Sequence, residues 1–95
     1  MATGYDSQGQ DAYAEIIAAA AGNKRYRFLA ALSDRSADGV ARDAVLTWDG
    51  GVSELRVDAD KGWHVFELPQ RATGPIEAKN ATAGEKYADL TVNAW

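Results

Sequence analysis

The residue types that could carry chemistry in this chain are few and widely spaced. The sole histidine, His64, stands between Trp63 and Val65 in a segment of strand-like composition, so no catalytic triad and no cluster of histidine ligands can form around it. Cysteine is absent, and no serine lies in a G-x-S-x-G or an S-x-x-K pattern. We therefore expect a structural or surface role for His64 and no enzymatic activity.

Acidic side chains are the other candidates for chemistry. Asp34, Ser36 and Asp38 match the opening spacing of a calcium-binding loop, but Val45 stands at the twelfth position, where such a loop needs a glutamate. A polar loop is the better interpretation, so neither a metal nor another cofactor is expected. Catalytic carboxylate pairs could be drawn only from acids that are usually solvated: Asp58, Asp60, Glu67 and Glu77.

Charge and hydropathy exclude several partners and locations. The chain has 10 Lys plus Arg against 14 Asp plus Glu and no basic run, so nucleic acid is not an expected partner. Its longest apolar run, Ile16 to Ala21, is too short to cross a membrane, and residues 1–10 lack the features of a signal peptide. Synthesis in the cytoplasm is expected, where the N-glycosylation pattern at Asn80-Ala81-Thr82 has no use.

Hydrophobic periodicity predicts one β-rich domain over residues 1–95. Alternation with a period of two marks a strand from Tyr26 to Leu32. The last strand, Tyr87 to Trp95, is expected to place Leu90, Val92 and Ala94 on one face and Tyr87 on the other. Strand signals at about ten-residue spacing are typical of an antiparallel sandwich or barrel. The other expected strands are Ala44 to Trp48, its partner around Leu55, Trp63 to Leu68, and a weak strand beginning at Ile76.

A hairpin signal lies at residues 49–51, Asp-Gly-Gly. A two-residue turn at Asp49-Gly50 or at Gly50-Gly51 places Leu55 and Val57 on the same face as Leu46 and Trp48. A three-residue loop would shift the pairing by one residue and move Leu55 and Val57 to the polar face. The hydrophobic pattern therefore favours the two-residue turn.

The N-terminal region admits more than one structure. Residues 1–11 are rich in Gly, Ser, Gln and Asp and are expected to form a mobile arm. Over residues 11–21, Asp11 as a cap, an alanine run and Gly22 as a stop favour a helix. Alanine also fills the crowded interior of a small sandwich. The residues thus leave open an all-β fold or an α+β adaptor domain with one helix over 11–21.

Aromatic side chains are the candidates for binding. Tyr5, Tyr13, Trp63 and Trp95 are expected to contact a partner or a second subunit, because Tyr and Trp are enriched at interfaces and a domain of 95 residues has a modest core. An alternative function is carbohydrate binding, in which Trp63 or Trp95 forms a platform for a sugar ring.

Several short motifs follow one another in a recognisable order. Residues 18–21 lead through Gly22, Lys24 and Arg25 into the Tyr26 to Leu32 strand and a polar turn. The second half continues with the hairpin at Asp49 to Gly51, the Trp63 to Leu68 strand ended by Pro69, Gly74-Pro75, and Gly84-Glu85 before Leu90-Thr91-Val92. In this order the motifs resemble the small β-sandwich virion proteins of tailed bacteriophages, the head decoration and head-fibre type.

The resemblance implies both a fold and a function. It implies a strand over Ile16 to Ala20, a jelly-roll-like sandwich, and a homo-oligomer, a trimer being favoured, on the capsid surface. The function it implies is that of a decoration or cement protein of the virion, which binds the major capsid protein and stabilises the head without a cofactor.

Overall fold

The computed structural model describes residues 2–19, 27–32, 42–59, 64–67 and 74–94, and this part of the chain contains strands and no helix. The all-β prediction is confirmed. The alternative helix over residues 11–21 is wrong where the chain is described, because Ala14–Ile17 is a strand that pairs with Ile76–Asn80. The strands are β1 (Ala2–Gln8), β2 (Ala14–Ile17), β3 (Arg27–Leu32), β4 (Ala44–Thr47), β5 (Leu55–Val57), β6 (His64–Glu67), β7 (Ile76–Asn80) and β8 (Ala88–Ala94).

The strands form two antiparallel sheets of four strands each. Sheet A has the order β1-β8-β3-β6, and sheet B has the order β2-β7-β4-β5. Four of the pairs join strands placed symmetrically along the chain: β1 with β8, β2 with β7, β3 with β6, and β4 with β5. The chain therefore has the connectivity of one long hairpin that turns between β4 and β5 and is folded over into two layers.

The hydrophobic core lies between the two sheets and takes side chains from both. Trp48 and Leu55 pack against it, on the face that the hairpin register predicts. Together the layers form a small β-sandwich. The buried residues of the core are Ile17, Ala44, Leu46, Val57, Ile76, Ala78, Tyr87, Leu90, Val92 and Ala94.

The hairpin between β4 and β5 has the predicted register. Leu46 pairs with Leu55, and Val57 is buried on the same face. Gly50 and Gly51 have φ angles of 74° and 96°. A two-residue type I′ turn needs such left-handed values at both central positions, and only glycine adopts them without strain. Of the two predicted turns, the one at Gly50-Gly51 is therefore present.

The N-terminal segment is a strand and not an arm. The prediction of a mobile arm over residues 1–11 is wrong for Ala2–Gln8, which pairs with β8 along its length. Gly4 is buried against β2, where a Cβ would lie 2.5 Å from the Ile16 carbonyl oxygen and 2.7 Å from Ile17 Cγ1. Main-chain pairing and this close approach hold β1 in place. The composition of β1 does not indicate the main-chain pairing or the close approach at Gly4, because neither interaction depends on large apolar side chains.

Strand β8 alternates as predicted except near its start. Leu90, Val92 and Ala94 are buried. The expectation that Tyr87 lies on the opposite face is wrong, because its side chain is 1 % exposed. Asp89 has a φ of 52°, so the backbone between Tyr87 and Leu90 is not regularly extended. The two-residue period therefore does not reach back to Tyr87.

Candidate protein-binding face

The side chains considered as candidates for chemistry have mainly structural contacts where the chain is described. His64 is largely buried, and its Nε2 accepts the backbone N–H of Asp58 at 3.3 Å, so it ties β6 to the turn after β5. Over the described ranges, no group of three or more His, Cys, Asp or Glu side chains could hold a metal ion. The calcium-like spacing at Asp34, Ser36 and Asp38 lies outside these ranges.

A polar network joins the two sheets at the corner where β1 leads to β2 and β7 leads to β8. The buried Asn80 donates from Nδ2 to Asp11 Oδ1 at 2.8 Å and accepts the Tyr87 N–H at 3.3 Å. Asp11 Oδ1 also accepts the Gly84 N–H at 2.8 Å, and the Tyr87 hydroxyl donates to Asp6 Oδ2 at 2.6 Å. Asn80 is therefore part of the interior, and its N-glycosylation pattern is not an acceptor in the folded chain.

Acid is expected to destabilise the protein through this corner. The hydrogen bond from the Gly84 N–H, followed by that from Asn80, holds the pKa of Asp11 below its usual value of 3.8. A carboxyl whose pKa is lower in the folded state favours folding above its unfolded pKa, and this contribution is lost as the pH falls through the folded value. We therefore expect the melting temperature to decrease when the pH is lowered below about 4.

Asp11→Asn is the matched variant for this prediction. It should be less stable than the wild type at about pH 7, and it should lose less stability between about pH 5 and about pH 3. Melts followed by circular dichroism measure both quantities. Hydrogen bonds also lower the pKa of Asp43, Asp49 and Glu54, so part of the acid response remains in the variant. An equal loss in both proteins would contradict the role of Asp11.

The outer face of sheet B is charged. Lys79 Nζ lies 3.5 Å from the Glu54 carboxylate and 4.7 Å from the centre of the Tyr13 ring. The Tyr13 hydroxyl donates to the same carboxylate, and burial together with this bond raises the pKa of Tyr13. Glu15 and Glu77 face each other in the register of β2 and β7. Such a surface suits solvent, because charged groups lose hydration when a partner covers them.

Where the chain is described, the two rows of sheet A that contain Thr3 and Tyr5 carry no charged residue on the outer face, and Asp89 borders them at Tyr5. Tyr5 is 60 % exposed and Val65 is 67 % exposed. The register sets Thr3 opposite Asn93, and it sets Leu29 opposite both Asn93 and Val65, so one row crosses all four strands. Thr91 lies opposite Tyr5 in the next row. We call the following residues the uncharged face: Thr3, Tyr5, Val65, Thr91 and Asn93.

Hydrogen bonds orient two side chains of the uncharged face. Thr3 Oγ1 donates to Asn93 Oδ1 at 2.7 Å, and the Tyr5 hydroxyl donates to Asp89 Oδ1. A ring already held in one orientation loses little side-chain freedom on binding. Interface centres are depleted of Lys, Glu and Asp and enriched in Tyr. The uncharged face is therefore the candidate site for a protein partner.

The structure separates the aromatic residues that the sequence grouped as interface candidates. Tyr5 lies on the uncharged face of sheet A, whereas Tyr13 lies on the charged face of sheet B. Trp63 and Trp95 lie outside the described residues. Tyr5 and Tyr13 therefore belong to different surfaces of the sandwich.

Sequence analysis did not single out Thr3, Val65 or Asn93. The available signal was the alternation of β8, whose outward positions Thr91 and Asn93 carry no charge. That signal can be interpreted only when the neighbours of β8 are known. Those neighbours are β1 and β3, which lie far from β8 in the sequence.

Two broader observations complete the description of the site. Among the described residues, no helix is long and apolar enough to cross a membrane. Comparison of the chain with protein-family models, with curated proteins and with solved structures finds no match. A functional assignment has to come from the fold, its surfaces and the sequence motifs.

Proposed function

We propose that this protein is a structural component of a tailed-phage virion, a decoration or cement protein that binds the major capsid protein and stabilises the head. The observation that carries the proposal is the strand order β1-β8-β3-β6 in one sheet and β2-β7-β4-β5 in the other. Eight antiparallel strands in this order suit a jelly roll, an architecture of viral capsid proteins. Parts of the motifs that resemble phage head proteins lie in strands β3, β6 and β8.

The uncharged face supports this function because a decoration protein works by covering surface. A subunit that binds the assembled shell but not unfolded coat protein stabilises the shell by mass action. Tyr5 and Val65 offer apolar area, while Thr3 and Asn93 offer polar groups that are already hydrogen-bonded. In this proposal the sheet A face meets the major capsid protein and the charged sheet B face meets solvent, and no enzymatic step is needed.

We also propose that the protein assembles as a homo-oligomer, with a trimer favoured, as the phage resemblance implies. A trimer would present three uncharged faces to one shell, and linked contacts bind far more tightly than single ones. Light scattering on the purified protein measures the number of copies directly. A monomer at all concentrations would remove the trimer and leave the head-binding proposal intact.

Binding to heads is expected to depend on Tyr5. The purified chain should co-sediment with expanded heads that lack it and should raise their melting temperature. Tyr5→Ala removes the exposed ring that β1, an edge strand of sheet A, contributes to the uncharged face, so the affinity should fall about tenfold or more. The matched control is Glu15→Gln on the outer face of sheet B, which should bind as the wild type does.

Two results would contradict the proposal. Absence of binding to heads, with no change in their melting, would remove the function. Equal weakening by Tyr5→Ala and Glu15→Gln would remove the uncharged face as the contact surface. The alternative function is carbohydrate binding through Trp63 or Trp95, since lectin domains also use jelly rolls. Binding to a glycan array without binding to heads would favour that alternative.

A further inference from the structure

A small polar cleft lies at the end of the sandwich where β4 begins, beside the connection from β7 to β8. Its volume is about 190 Å³. Sites for small molecules and cofactors usually measure about 300–1,000 Å³, so this cleft is sized for a single side chain or a small ion. It is lined by Arg42, Asp43, Arg56, Ala81, Thr82 and Glu85.

One arginine of the cleft, Arg56, is held in position by Asp43, and its Nε also lies 3.6 Å from Asp58 Oδ1. Both Nε and Nη2 of Arg56 donate to Asp43 Oδ2, at 2.9 and 2.6 Å. The other oxygen, Oδ1, accepts the Ala59 N–H at 2.9 Å, and the Asp43 backbone carbonyl accepts the Ala81 N–H at 3.2 Å. Burial works to raise the pKa of Asp43, but these bonds outweigh it and keep the pKa below the usual value. The carboxylate thus stays charged and orients Arg56.

The guanidinium of Arg56 retains donors beyond those that Asp43 uses. A guanidinium has five N–H groups in a planar fork, and the bonds to Asp43 involve Nε and Nη2. The Nη1 group makes no hydrogen bond to the described residues. Arg42 brings a second positive charge to the same cleft, and Thr82 brings a hydroxyl. Two-oxygen anions match the remaining edge of such a fork.

We infer that this cleft binds a carboxylate, in the form of an acidic side chain from a partner protein. Arg56 would hold it through the Nη1 edge, with Arg42 supplying charge and the Thr82 hydroxyl a further hydrogen bond. Glu85 lies exposed at the rim and opposes the ligand by like-charge repulsion. The site is a property of the isolated chain, so it can be tested without heads and independently of the proposed function.

The test is a titration followed by the amide NMR signals of Ala59, Ala81 and Thr82. The probes are sodium acetate, sodium phosphate, sodium chloride at matched ionic strength, and capped Ala-Glu-Ala and Ala-Gln-Ala peptides. Acetate and the glutamate peptide are expected to give saturable shifts in the millimolar range, the peptide binding at least as tightly. Chloride and the glutamine peptide are expected to give none.

Variants assign the binding to the cleft. Arg56→Lys keeps the charge beside Asp43 but lacks the planar fork, so carboxylate binding should weaken about tenfold. Glu85→Gln should bind about threefold more tightly, because it removes the repulsion. Lys79→Gln, which removes a positive charge from a residue outside the cleft, should bind as the wild type does.

Four results would overturn the inference: no saturable shift with acetate, equal shifts with chloride, a tenfold preference for phosphate over acetate, or binding that Arg56→Lys and Glu85→Gln leave unchanged. Tighter binding of acetate than of the glutamate peptide would assign the cleft to a free small acid and overturn the protein side chain as its ligand. If the NMR spectrum shows that Arg56→Lys does not fold, the titrations of the wild type and of Glu85→Gln decide the question.

Discussion

Gly9→Ala is expected to lower the free energy of unfolding by about 3 kcal/mol, because the corner between the sheets has no room for a methyl group. The Gly9 N–H donates to the Tyr87 carbonyl at 2.9 Å. A Cβ on Gly9 would lie 2.5 Å from Tyr87 Cε2 and would overlap Asn80 Oδ1. Both neighbours are hydrogen-bonded, Asn80 to Asp11 and Tyr87 to Asp6, so neither can move without breaking a bond.

Urea unfolding and thermal melts measure this effect. For a domain of this size, about 3 kcal/mol corresponds to a drop of roughly 12–24 °C in the melting temperature. Gly74→Ala is the matched control, since a Cβ there would have the Trp48 carbonyl oxygen as its nearest atom, at 3.8 Å. That variant should change stability by less than about 1 kcal/mol. A loss of less than about 1 kcal/mol in Gly9→Ala would show that the corner is not tightly packed.

The corner also controls the uncharged face. Asp6 lies in β1, and its bond from the Tyr87 hydroxyl helps to hold that strand beside β8. Tyr5 and Thr3 reach their positions on the face only while β1 stays paired. Under the proposed function, Gly9→Ala is therefore expected to weaken binding to heads as well, although Gly9 is buried and lies off the face. A variant that binds heads normally despite a lowered stability would uncouple the corner from the face.

Leu46→Ala is expected to cost about 3 kcal/mol of unfolding free energy. Leu46 is fully buried in strand β4, opposite Leu55 across the hairpin and Ala78 across β7. Its truncation removes apolar contacts and leaves a cavity between two sheets that are held in place by their own hydrogen bonds. The loss should appear in urea unfolding as a lower midpoint with an unchanged slope.

Val52→Ala serves as the control for Leu46→Ala. Val52 lies in the same hairpin but is 86 % exposed, so its truncation should change stability by less than about 0.5 kcal/mol. If both variants unfold at the same urea concentration, the buried position of Leu46 is wrong. If only Leu46→Ala is destabilised, the hairpin register is supported.

The confirmed predictions concern features that are determined by residues adjacent in the sequence. Gly50 and Gly51 adopt a left-handed backbone conformation with little strain, so these two residues are enough to predict the turn. Leu55 and Val57 alternate with the polar residues Glu54, Arg56 and Asp58, and such alternation indicates which face of a strand is buried. The all-β class and the two-residue turn follow from such local patterns.

The predictions that failed concerned residues held by distant parts of the chain. Ala2–Gln8 has an arm-like composition but pairs with β8 at the other end of the sequence. The alternative helix over residues 11–21 drew on the alanine run at 18–21, but Ala14–Ile17 within that range pairs with β7. Asp11, considered as a helix cap, instead accepts a hydrogen bond from Asn80, 69 residues away. None of these partners can be identified from the segment itself.

The chain thus encodes its class and its turn chemistry locally, because backbone preference and one-sided burial act on neighbouring residues. The sheet order, the buried corner around Asn80 and the uncharged face around Tyr5 arise when strands from opposite ends of the chain meet. Main-chain hydrogen bonds pair any two extended segments of suitable shape, so the choice of partner depends on how the whole core packs. That choice places Tyr5 and Val65 on one exposed surface.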